Sequence, residues 1–77
     1  MNKARRKSLQ EVIEKLEGLM GDVESLQEEE EEYRDNIPEN MQGSERYEQA
    51  ESACDSLSEA VDSISAAIDS INEAMGE

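Results

Sequence analysis

The chain has 77 residues, a net charge of −14, no histidine, no phenylalanine or tryptophan, and one cysteine. A chain of that length forms one domain with a small core, marginal alone, and leans on oligomerisation or regular helix packing. Without histidine and with Cys54 alone, a His- or Cys-ligated metal centre within one chain and an intrachain disulfide are both excluded. Low hydrophobicity with high charge is also a mark of disorder. The apolar residues, however, keep a helical period through each half of the chain, which argues for folded helices.

In chain order, Lys3, Arg5, Arg6 and Lys7 come first, four of the seven basic residues. Such a cluster suits a nucleic-acid or membrane surface, but an acidic partner within the same chain is the stronger reading. No apolar run follows it. Neither a secretory signal nor a membrane span is expected, and a cytoplasmic location is implied.

From Leu9 a series advances by threes and fours: Leu9, Val12, Leu16, Leu19, Val23, Leu26, Glu30, Tyr33. It predicts an amphipathic helix over about 3–35. Ile13 and Met20 widen the apolar face on one flank. Gly18 and Gly21 fall on the solvent side, each at a cost of roughly 1 kcal/mol relative to Ala. They mark a bend or a close approach by another chain, or are simply tolerated. Glu28, Glu29, Glu30, Glu31 and Glu32 follow as an unbroken run. Like charges at this spacing weaken a helix, so the run is a candidate for use.

Residues 36–43 form the break. Pro38 lacks an amide hydrogen and disfavours helical geometry at Ile37; Asn36, Asn40 and Gly43 are turn formers. Ser44 is a good N-cap, with Glu45 and Glu48 in the first turn beyond it. A second helix is predicted over about 44–75. Its stripe is Tyr47, Ala50, Cys54, Leu57, Val61, Ile64, Ile68, Ile71 and Met75, and from Ala53 onward the sequence nearly repeats every seven residues. Cys54 falls on the stripe and reads as a small buried hydrophobe.

A loop this short makes the helices antiparallel neighbours. Pairing Tyr33 with Tyr47 sets Leu26 against Cys54, Leu19 against Val61 and Leu9 against Ile71, and the two stripes begin and end together. The basic start then lies beside Asp69, Glu73 and Glu77. The expected fold is all-α, a single antiparallel coiled-coil hairpin. Ala53, Ala60, Ala67 and Ala74 line one edge of helix two, and Ile13 with Met20 lines the other edge of the hairpin on helix one. That is more apolar surface than one hairpin covers, so self-association into a dimeric four-helix bundle is expected.

No catalytic residue, cofactor or metal is expected. Carboxylates are plentiful, but there is no nucleophile–base pair and no glycine-rich phosphate loop. From Asp22 to Asp62, fifteen acidic residues face only Arg34 and Arg46. Such a field repels nucleic acid and attracts basic protein surfaces. The glutamate run with Asp35, Glu48 and Glu51 is the candidate surface for a basic partner. Tyr33, Arg34, Asn36, Asn40, Arg46 and Tyr47 gather at the break as a candidate small-ligand site, with arginines for an anion and tyrosines for stacking. In the plainer reading the arginines pair with nearby carboxylates and the tyrosines plug the bundle end.

The segment Tyr33-Arg-Asp-Asn-Ile-Pro-Glu-Asn-Met-Gln-Gly-Ser-Glu-Arg-Tyr-Glu, with the alanine-rich repeat after it, resembles short, mostly uncharacterised phage and prophage proteins. They share a basic start, an acidic first helix, an Asn-x-Pro-Glu break, a Ser-Glu turn and an alanine-rich second helix. The resemblance covers most of the chain, implies a mobile-element origin and carries over no catalytic residue. Small acidic phage proteins include anti-CRISPR and anti-restriction inhibitors. The expectation is therefore a non-catalytic inhibitor of a basic, nucleic-acid-handling host defence protein. The alternatives are an oligomeric small-ligand or nucleotide binder, or a structural coiled coil.

Overall fold

The computed structural model describes residues 1–76. Two long helices, α1 (Lys3–Asp35) and α2 (Glu45–Gly76), are joined by a break holding one 3-10 turn, Glu39–Met41. They fold back on each other as a helical hairpin. The Cα extents are 59 × 16 × 12 Å, so the molecule is one helix layer thick.

Each helix end is closed by short-range chemistry. Asn2 caps α1, its Oδ1 accepting from the Arg5 amide at 2.7 Å. At the other end the Asn36 amide donates to the Glu32 carbonyl at 3.0 Å, and the Ile37 amide to Arg34 at 3.2 Å. Pro38 then prevents continuation. The Met41 amide bonds the Pro38 carbonyl at 2.8 Å, and the Ser44 amide bonds Met41 at 3.0 Å. Ser44 caps α2, its Oγ accepting from the Tyr47 amide at 3.4 Å. Ile37, the apolar residue just before the proline, is buried and seals this end of the hairpin.

Between the helices the buried residues are Ile13, Ala50, Cys54 and Ile68. The α2 stripe faces inward as its period requires. On α1 the expectation needs correcting. Ile13 is 2% exposed, whereas Val12 is 41%, Leu19 55%, Leu26 57% and Tyr33 40% exposed. The inward row is Ile13, Met20, Gln27 and Arg34, flanked by the half-buried Leu9, Leu16 and Val23. The leucine row sits one residue earlier, about 100° around the helix. The cause lies on α2: its flank on that side carries Ala53 and Ala60, whose methyl groups are too short to cover leucines. Ile13 and Met20 are therefore not an outer edge. The Cys54 thiol feels the charges of Arg34, Glu31 and Glu30, so it packs toward the loop end of α1.

Among the described residues the basic start has no ion-pair partner. Among the described residues the one ion pair is Arg34–Asp35, at 3.1 Å. None joins Lys3, Arg5, Arg6 or Lys7 to Asp69 or Glu73; Glu77 lies outside the described residues.

Candidate functional site

With Ile13 and Cys54 turned inward, the heptads place every other row. The residue before each inward position points to one broad face of the hairpin, since in an antiparallel pair these two rows flank the same side. On α1 that row is Arg5, Val12, Leu19, Leu26 and Tyr33; on α2 it is Arg46, Ala53, Ala60, Ala67 and Ala74. Contact across the loop end bears this out: the Arg46 Nε donates to the Tyr33 hydroxyl, and its guanidinium sits 5.4 Å from the Tyr33 ring centroid.

Among the described residues the opposite broad face has no apolar side chain. α1 contributes Glu17, Glu24, Glu28, Glu31 and Asp35, and α2 contributes Glu48, Glu51, Asp55 and Asp62. The predicted acidic set is thereby divided. Glu28, Glu31, Asp35, Glu48 and Glu51 share the polar face. Glu29 and Glu32 lie on the outer side of α1, and Glu30 turns toward the apolar face. Glu30 and Glu31 are half-buried against α2, while Glu28, Glu29, Glu32, Asp35, Glu48 and Glu51 are exposed.

The residues of the break do come together. Tyr33, Asn36, Ile37, Pro38, Met41 and Arg46 line a groove of about 240 Å³, below the roughly 300 Å³ at which small-molecule sites begin. Both arginines are engaged. Arg34 Nε bonds Asp35 Oδ1 at 3.1 Å, and that bond raises the Arg34 pKa. The bond to the Tyr33 hydroxyl raises that of Arg46. Arg34 lies on the inward row, away from the groove, and neither Tyr47 nor Asn40 lines it. Ile37, Pro38 and Met41 line the groove without having been candidates for the ligand site.

Burial pushes the Cys54 thiol above its ordinary value; the Arg34 charge opposes the shift and Glu31 and Glu30 add to it. Among the described residues no group of His, Cys, Asp or Glu is arranged to hold a metal ion, and no helix is long and apolar enough to cross a membrane. No protein family, curated protein or solved structure matches the chain.

Proposed function

We propose that the chain is a non-catalytic binding protein that presents the acidic face of its loop end to a basic protein surface, and that it works as a self-associated pair of hairpins. The observation that supports it most is the segregation of charge. One broad face at the loop end carries carboxylates from both helices, and among the described residues the one ion pair they make is Arg34–Asp35. A field of this kind competes with nucleic acid for a basic groove. In line with the resemblance to phage proteins, the partner we favour is a nucleic-acid-handling host defence protein of the CRISPR or restriction kind. The location would be the host cytoplasm.

Plaquing efficiency tests the reading. Phage titre is measured on hosts carrying a CRISPR or restriction system, with and without expression of this chain. Protection of the phage is expected, with its loss when Glu28 to Glu32 are all changed to Gln. Protection that survives the change, or no protection in any system, sinks it. The groove at the break supports the second reading, a small anion held beside Arg46; there Arg46→Ala, and not the glutamine variant, removes activity.

A further inference from the structure

The hairpin is an incomplete layer. Domains bury their apolar faces between two layers of secondary structure, and this molecule has one. A compact monomer of 8.6 kDa exposes about 4,700 Å², whereas this chain exposes 5640 Å². The excess, about 900 Å², matches the roughly 800 Å² per partner buried in a standard interface. The exposed large apolar side chains of the helices gather on one broad face. There Val12, Leu19 and Leu26 stand exposed, and Leu57, Ile64 and Ile71 are half-buried beside the short alanine row.

Two face-to-face arrangements have two-fold symmetry: loops at the same end, or loops at opposite ends. Charge separates them. The first half of α1, from Lys3 to Leu19, holds five cations and three carboxylates; the second half, from Met20 to Asp35, holds eight carboxylates and Arg34. Loops at the same end superpose the two acidic halves. Loops at opposite ends bring the basic start of each copy, in no ion pair among the described residues, to the end of the bundle where the other copy carries Glu28 to Glu32. Arg5 continues the Val12–Leu19–Leu26 row, and Glu30 turns toward the same face at its far end.

We propose that a second copy of this chain covers the apolar face with the two loops at opposite ends, giving a four-helix bundle in which each α1 runs antiparallel to the other α1, with Leu19 near the two-fold axis. This rests on the self-association proposed above and does not require the basic partner, for which Glu28, Glu31, Asp35, Glu48 and Glu51 remain on the opposite face.

The test uses the purified full chain. A spin label goes on Gly43→Cys in a Cys54→Ala background; Gly43 is exposed, and a side chain there meets nothing within 4 Å. A label-to-label distance of about 50 Å, the length of a 33-residue helix, is expected. A distance under about 25 Å, packed helices about 10 Å apart with the reach of two labels added, overturns the arrangement and leaves self-association standing. No intermolecular signal, together with a one-chain mass by light scattering, overturns both. Leu19→Asp is the second variant. Leu19 lies outside the hairpin's own contact, so helical circular dichroism is retained while the mass falls by half; an unchanged mass overturns the face.

Discussion

At the residue scale, Cys54 reports on whether the hairpin closes at its loop end. The thiol is buried between the helices, and burial raises its pKa above the unfolded value of about 8.5. The folded chain therefore holds this proton more tightly than the unfolded chain. Stability from this group is fully present below the unfolded pKa and is lost as pH rises toward the folded one. Urea unfolding between about pH 8 and pH 10 is expected to show a loss of stability that Cys54→Ala removes. The native thiol should also react slowly with a disulfide reagent at neutral pH and quickly in urea. Equal slopes in the two proteins would mean that Cys54 is solvated and the loop-end contact is open.

At the scale of the element, α1 carries two overlapping heptads that share Leu9, Leu16 and Val23. One continues through Val12, Leu19 and Leu26, the other through Ile13 and Met20. Removing buried atoms at Ile13 costs about 2–3 kcal/mol for Ile13→Ala, at the low end because one neighbouring helix leaves the site room to relax. Val12→Ala is expected within about 0.5 kcal/mol in the single hairpin. Urea unfolding at the lowest workable concentration separates the two. A Val12 cost that grows with concentration belongs to the second copy; equal costs at high dilution would mean that the leucine series faces inward. The same residues show how far the sequence could be read. Period three-and-four, Asn36 and Pro38, and the Ser44 cap were enough for two helices and a hairpin. Period alone does not choose between heptads that differ by one residue. That choice turned on Ala53 and Ala60 across the hairpin, side chains too small to cover Leu19 and Leu26. Ile37 was hidden for a different reason: a lone apolar residue in a break has no period to betray it.

At the scale of the whole molecule, the charge of −14 acts on the two proposed associations with opposite sign. Two copies bring like net charges within about 10 Å, the spacing of packed helices. The end contacts between Lys3–Lys7 and Glu28–Glu32 are solvent-exposed, and such pairs contribute about 0–1 kcal/mol each. They orient the copies without offsetting the repulsion of the whole. Added salt shortens the screening length from about 30 Å at 0.01 M to about 8 Å at 0.15 M, which relieves the repulsion and leaves the apolar contact intact. The self-dissociation constant, from sedimentation across concentration, is therefore expected to fall as salt rises over that range. Binding to a basic protein should weaken over the same range, because there the screened interaction is the attraction. A hairpin pair that loosens with salt would place ion pairs, not Leu19 and its neighbours, at the centre of its interface. A partner complex indifferent to salt would take the acidic face out of the binding surface and direct attention to the groove beside Arg46.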